Sequence, residues 1–278
     1  MTVNADVPAA RTGQAGTSDH AESTVTVRGH TVRLLSAGCG EPVLYLHGAG
    51  DLGAWTRALS VLSESHRVLR PDLPGFNYSQ PRADVRSVHD LAYRTWDLID
   101  SLGLDIVRVV GSSLGGWLAA DLATVEPARV SHLVLVAAAG LRPAAGHGVD
   151  VFMLNPAEMA AKTYHGAQAR ERALAVVAER ESDPELQLLH LRNRAASARL
   201  AWNPYFHDPG LPDRLHRVRA RTLVIWGEQD QLMPAECGRR YTQLIPGARL
   251  EVLAGCGHLP EAERTAEFCD LTRAFLAD

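Results

Sequence analysis

Gly111-Ser112-Ser113-Leu114-Gly115 is the stretch on which the reading of this chain turns. The β-rich run Ile106-Val107-Arg108-Val109-Val110 precedes it, and a helix-like run from Leu114 to Thr124 follows. Gly-x-Ser-x-Gly alone arises by chance in chains rich in glycine and serine. Between a strand and a helix it describes a sharp turn that strains the central residue and needs small neighbours on both sides. Such a turn presents the Ser113 hydroxyl at the end of a sheet, over a helix N-terminus. The plainer reading is a tight turn with a capping serine. The strand–turn–helix setting favours a nucleophile.

A serine hydroxyl is a poor nucleophile at neutral pH. It needs a base, and the base needs an orienting acid. Both are expected downstream, acid before base. The buried-strand pattern Thr222-Leu223-Val224-Ile225-Trp226 is followed by Gly227-Glu228-Gln229-Asp230. The next strand, Arg249-Leu250-Glu251-Val252-Leu253, is followed by Ala254-Gly255-Cys256-Gly257-His258-Leu259-Pro260. Each polar residue stands in a loop just after a strand, where parallel sheets collect active-site groups. The loop after Leu133–Val136 reads Ala137-Ala138-Ala139-Gly140 and offers no carboxylate. That elimination favours Asp230 as the acid, with Glu228 the rival, and His258 as the base.

The strand Pro42-Val43-Leu44-Tyr45-Leu46 leads into His47-Gly48-Ala49-Gly50. Acyl transfer builds negative charge on a carbonyl oxygen, which two backbone N–H groups must meet. The residue after the nucleophile, Leu114, supplies one at a helix N-terminus. Ala49 of the His-Gly loop is the choice for the other, and His47 reads as structural. Losing one such donor typically costs roughly 3 kcal/mol of transition-state stabilisation.

From about Thr24 to the C-terminus the chain resembles the α/β-hydrolase superfamily. The resemblance is carried by His47-Gly48-Ala49-Gly50, Arg70-Pro71-Asp72-Leu73-Pro74-Gly75-Phe76, Gly111-Ser112-Ser113-Leu114-Gly115-Gly116, Trp226-Gly227-Glu228-Gln229-Asp230 and Gly255-Cys256-Gly257-His258. These ordered motifs are specific for the superfamily and weak for any one activity. Asn77 departs from the pattern, standing where such chains often carry glycine, and asparagine tolerates left-handed φ. Alternating strand and helix patterns imply an α/β fold with a mostly parallel sheet covered on both faces; the resemblance makes that sheet an eight-stranded type. Thr24–Val27 and Thr31–Leu35 flank Arg28-Gly29-His30 as a hairpin. Val88, Leu91, Ala92, Thr95, Leu98, Ile99 and Leu102 recur at helical spacing.

The expected organisation is a disordered leader over 1–22, a hydrolase core over 23–141 and 214–278, and a helical cap over 142–213. The leader is rich in Ala, Thr, Gly and Ser and lacks the apolar core of a secretory signal. The cap stretch has no clear strand, and helix-like runs cover Pro156–His165, Ala167–Glu181 and Glu185–Trp202. A cap over the strand ends would shape the pocket and exclude water. Trp117, Phe152, Trp202 and Phe206 are candidate substrate contacts, with Met153, Leu154 and Tyr205 beside them; packing is the plainer role of each. Arg192, Arg194 and Arg199 read mainly as solvated charges, with an anionic ligand group as the alternative. The expectation is that the cap selects substrate while the chemical machinery lies outside it.

The 278 residues fit one globular domain with an inserted element. A net charge of −4 points away from nucleic acid. The four scattered cysteines (Cys39, Cys237, Cys256, Cys269) read as reduced thiols with no metal site. With no stretch of ~18 apolar residues, the chain reads as cytoplasmic, with no membrane partner and no cofactor. Its oligomeric state stays open, a homodimer among the options.

These features imply a serine hydrolase of a small or medium carboxylic ester or lactone. The second reading is carbon–carbon bond hydrolysis in a vinylogous diketone from aromatic ring cleavage. Hydrolases of that kind commonly carry Asn before the nucleophile and Trp after the histidine, where this chain has Ser112 and Leu259. Dehalogenases and epoxide hydrolases of this superfamily need an aspartate nucleophile. A reading of another class is a hydrolase-fold binding protein with incidental turnover.

Overall fold

The computed structural model describes residues 20–143 and 149–278. Eight strands form one sheet: β1 (Ala21–Val27), β2 (His30–Ala37), β3 (Pro42–Leu46), β4 (Arg67–Pro71), β5 (Val107–Ser112), β6 (Val130–Val136), β7 (Arg221–Gly227) and β8 (Arg249–Leu253). Their spatial order is β1-β2-β4-β3-β5-β6-β7-β8. The β1–β2 and β2–β4 pairs are antiparallel and all others parallel. The β1–β2 turn has positive φ at both Arg28 (47°) and Gly29 (79°), the pairing a type I′ hairpin requires. Residues 1–19 of the expected leader lie outside the described residues. The leader's last two residues do not belong to it: Ala21 and Glu22 open β1 and pair with Ser36 and Leu35.

Side chains alternate across the strands and build two cores. On β3, Leu44 and Leu46 join the cluster under α2 (Val88–Ser101) and α3 (Leu114–Val125). Val43 and Tyr45 join the cluster under α1 (Arg57–Ser63) and α9 (Thr265–Ala277). This two-sided cover explains why the central strands read as nearly unbroken apolar runs. Helix α2 starts on a capping box in which Ser87 and Asp90 each accept the other's backbone N–H at 3.0 Å.

Between β6 and β7 the chain leaves the sheet and forms α4 (Pro156–Thr163), α5 (Ala167–Ser182) and α6 (Pro184–Ala201). Among its described residues this excursion has no strand; residues 144–148 lie outside the description. Its neck is closed by a parallel bridge between Gly140 and His207, where Phe206 O accepts from Gly140 N–H and Gly140 O from Asp208 N–H, both at 3.0 Å. The remaining helices, α7 (Ala235–Leu244) and α8 (Pro260–Glu263), follow β7 and β8. No helix among the described residues is long and apolar enough to cross a membrane.

Candidate active site

The β5–α3 turn holds Ser113 at φ 53°, ψ −115°, a left-handed conformation costly for a non-glycine residue. The surroundings pin it there. Ser113 N–H donates to Val136 O at 2.9 Å, and Ser113 O accepts from Gly116, Ala139 and Trp117 N–H at 3.0, 3.0 and 3.1 Å. The motif's glycines answer to crowding. A Cβ on Gly115 would lie 2.1 Å from Leu46 O, and one on Gly111 would lie 2.3 Å from Gly115 O.

His258 reaches Ser113 from the loop after β8. Its Nε2 accepts from Ser113 Oγ–H at 2.9 Å, and its Nδ1–H donates to Asp230 Oδ2 at 2.8 Å; this tautomer follows from the partners. Asp230 Oδ1 accepts from the N–H groups of Leu232 and Met233, each at 2.9 Å. The rival acid, Glu228, is exposed and accepts from its neighbour Gln229. Burial pushes the His258 pKa down, but the Asp230 charge and hydrogen bond outweigh it, so the net shift is upward. That is the shift a base needs if it is to hold a proton during turnover.

The His47–Gly50 loop lies against Ser113: a Cβ on Gly48 would sit 3.3 Å from Ser113 Cβ. Among the described residues, no protein acceptor takes the N–H of Ala49 or Leu114. His47, read as structural, is fully buried. Leu73 N–H donates to its Nε2 at 3.0 Å and its Nδ1–H donates to Gly48 O at 2.9 Å. Burial lowers its pKa, in keeping with a neutral ring.

A buried charge network fastens this loop to the sheet. Arg70 and Asp72 are fully buried and paired at 2.6 Å, and Arg70 also binds the carboxylate of Asp51. Three further residues escaped the sequence reading. Asn193 of α6 bonds to the loop that carries Ala49. Glu263 joins the His258 loop to the insertion, accepting from Gly257 N–H at 2.8 Å and from His165 and Gly166 N–H at 2.8 and 3.2 Å. Glu261 accepts from Ser112 Oγ–H at 2.5 Å, and burial raises its pKa. Glu261 and Glu263 share a readable cue, acids placed just after a His-bearing loop.

The expected substrate contacts fall into two groups. Trp117 is buried in the core beneath Gly140, whose Cβ would lie 2.7 Å from the Trp117 ring. Phe152, Trp202 and Phe206 form one aromatic cluster with Tyr205, with ring centroids 5.2–6.2 Å apart. Within it Phe206 is buried and Trp202 exposed. The arginines diverge. Arg194 donates to Phe152 O at 2.9 Å. Arg192 and Arg199 line a cleft of about 160 Å³ against Gly75, Pro81 and Arg82 that none of Ser113, Asp230 or His258 lines. The four cysteines are free, and no cluster of three or more metal-ligating side chains occurs among the described residues.

A strained serine hydrogen-bonded to a histidine, which is bonded in turn to a buried aspartate, is the arrangement of a serine hydrolase. The model of the alpha/beta hydrolase family matches residues 43–271, and the chain belongs to that family. It is 30% identical over 279 aligned positions to a 2-hydroxymuconate semialdehyde hydrolase of Pseudomonas sp. (strain CF600), covering 91% of this chain and 93% of that one. A crystal structure of a meta-cleavage product hydrolase superposes with TM-score 0.72 at 25% identity, covering 92% of this chain and 97% of the other. A membrane phospholipase A superposes equally well, with TM-score 0.72 at 25% identity over 93% and 86% of the two chains.

Proposed function

We propose that this protein is a serine hydrolase that cleaves a carbon–carbon bond in a vinylogous diketone. The chemistry is carried by the chain from Ser113 through His258 to Asp230, at 2.9 and 2.8 Å, beside the N–H groups of Ala49 and Leu114. The sequence alone puts carboxylic esters first. The hydrolases named above for muconate semialdehydes and meta-cleavage products support reversing that order.

His258 Nε2 takes the Ser113 proton as Ser113 Oγ attacks the substrate carbonyl. The Ala49 and Leu114 N–H groups meet the oxyanion. Collapse breaks the carbon–carbon bond, and its electron pair leaves on the dienol fragment, which takes the proton from His258. Water, deprotonated by His258, then attacks the acyl-enzyme. The acid departs and Ser113 recovers its proton. No step requires a metal or organic cofactor. Helices α4–α6 act as a cap that shapes the pocket for a small molecule. Four free thiols and the substrate class support a cytoplasmic enzyme.

Ester hydrolysis is the second reading. It is favoured by Ser112, whose hydroxyl is spent on Glu261, and by Leu259, at the two positions where carbon–carbon hydrolases commonly carry Asn and Trp. The test compares kcat/KM for 2-hydroxymuconate semialdehyde, followed by loss of its absorbance, with kcat/KM for p-nitrophenyl butyrate. A higher value for the semialdehyde supports the first reading. The reverse order supports the second. Tight binding without turnover of either returns the protein to the binding class.

A further inference from the structure

Asn193 lies in the middle of α6 and is buried, only 2% exposed. Its Nδ2 donates to Asp51 O at 2.7 Å and to Asn77 Oδ1 at 2.8 Å, and its Oδ1 accepts from Asn77 N–H at 2.8 Å. Both amide protons and the carbonyl oxygen are thus engaged, which fixes the orientation of the side chain. Asn77, the departure from the family pattern, makes this possible. With φ 46° it turns its N–H toward α6 while its own Nδ2 donates to Asp72 Oδ1 at 3.2 Å.

Asp51 is two residues beyond Ala49, and its N–H donates to Gly48 O at 3.4 Å. Its carboxylate is held from the sheet side by Arg70, and its carbonyl from the cap side by Asn193. Asp51 is therefore gripped from both sides, two residues beyond Ala49. At the other end of the insertion, Thr163 O accepts from His258 N–H at 2.7 Å, so α4 holds the base loop as well.

We propose that Asn193 is a positioning residue that sets the Ala49 N–H through Asp51, and hence that the inserted helices take part in stabilising the transition state. The inference rests on the serine-hydrolase reading above. It departs from the expected division in which the insertion selects substrate and the core alone does chemistry. An N–H misplaced by a fraction of an ångström meets a carbonyl almost as well as before and a tetrahedral oxyanion much less well.

The test uses Asn193→Ala and the isosteric Asn193→Asp, which keeps the acceptor for Asn77 N–H and loses the donors to Asp51 O and Asn77 Oδ1. Leu188→Ala, at an exposed position of the same helix, is the control. Activity is measured on whichever of the two substrates above is turned over. Affinity is measured for butylboronic acid, whose tetrahedral adduct on Ser113 places an oxygen in the oxyanion site. Both Asn193 variants are expected to lose kcat by roughly 10- to 100-fold. KM should stay within about threefold, and boronate affinity should fall in step with kcat. Unchanged kcat, a rise in KM alone, or lost kcat with unchanged boronate affinity would each overturn the proposal. If Asn193→Ala does not fold, Asn193→Asp carries the test. Fluorophosphonate labelling separates the two claims. A wild type whose Ser113 is not labelled refutes the hydrolase reading and the proposal with it. A labelled wild type with unaffected Asn193 variants refutes the proposal alone.

Discussion

Replacing Asp230 with asparagine changes almost nothing in shape and reverses one hydrogen bond. Leu232 and Met233 both donate N–H to Asp230 Oδ1 at 2.9 Å. In the variant these two donors hold the amide oxygen, so the NH₂ group turns toward His258. A donor facing Nδ1 forces that nitrogen to accept, and the ring proton moves to Nε2. There it meets the Ser113 hydroxyl, and the ring can no longer take the serine proton. The charge that raises the His258 pKa is lost as well. The same reversal in a serine-protease triad lowers kcat by about 10⁴-fold, which corresponds to about 5 kcal/mol of barrier. Here kcat should fall by a similar factor with little change in thermal stability. Glu228→Gln, at an exposed side chain, should stay within about twofold of wild type, as surface substitutions usually do. The assay is steady-state kinetics of both variants on the preferred substrate, with a thermal melt as folding control. If Glu228→Gln is the damaged variant, or Asp230→Asn keeps more than about a tenth of the activity that the triad argument removes, the assignment of the acid is refuted.

Ser113→Ala should fold normally and lose both turnover and fluorophosphonate labelling, and labelling that persists would move the nucleophile elsewhere. Gly115→Ala puts a Cβ 2.1 Å from Leu46 O, so denaturant melts should show a loss of about 3 kcal/mol or more, and activity should fall as the His47 loop is pushed away. The acidic limb of kcat/KM should lie above pH 6.5, the ordinary imidazole value, because the folded protein holds the His258 proton more tightly. The same upward shift means His258 adds stability in full below that ordinary value, and this contribution disappears as pH rises through the raised one, a trend urea melts across pH can follow. Phe206→Ala should cost about 3–5 kcal/mol from its buried ring, whereas the exposed Trp202→Ala should barely move the melt. If either ring also lines the pocket, its loss should shift chain-length preference by about 10- to 200-fold.

Local signals in the chain carried the sheet well. Pro42–Leu46 and Arg249–Leu253 are strands with the bounds read from the sequence, and the helices of the insertion begin and end within two residues of the helix-like runs. Ser113, Asp230 and His258 were legible because each follows a strand in a parallel sheet, which brings their loops to one edge. What stayed hidden depends on partners distant in sequence. Asn193 reads as a poor helix residue between two arginines, and only the fold brings Asp51 and Asn77 to it. Asn77 stands out as a departure from the family pattern, but its left-handed backbone gains meaning only from the amide of α6 opposite. Glu261 looks like a surface acid on a short helix until Ser112 is seen to point at it. Ala21 and Glu22 lack any apolar pattern of their own; they are strand because β2 offers them a register.

The neck between Gly140 and His207 has a consequence for how this protein can be rebuilt. The two ends of the insertion emerge side by side, from strands β6 and β7 that are already neighbours, and backbone hydrogen bonds tie them at the exit. The excursion therefore resembles a cartridge in a fixed socket: its interior could be lengthened, swapped for a homologous segment or nicked at the α5–α6 junction without parting the strands below. The socket is not the only fitting. A replacement segment must also bring an amide to Asp51 and a carbonyl to His258 N–H. A graft matched on helix lengths alone would leave the loops of Ala49 and His258 with their ties to the core but without those to the insertion.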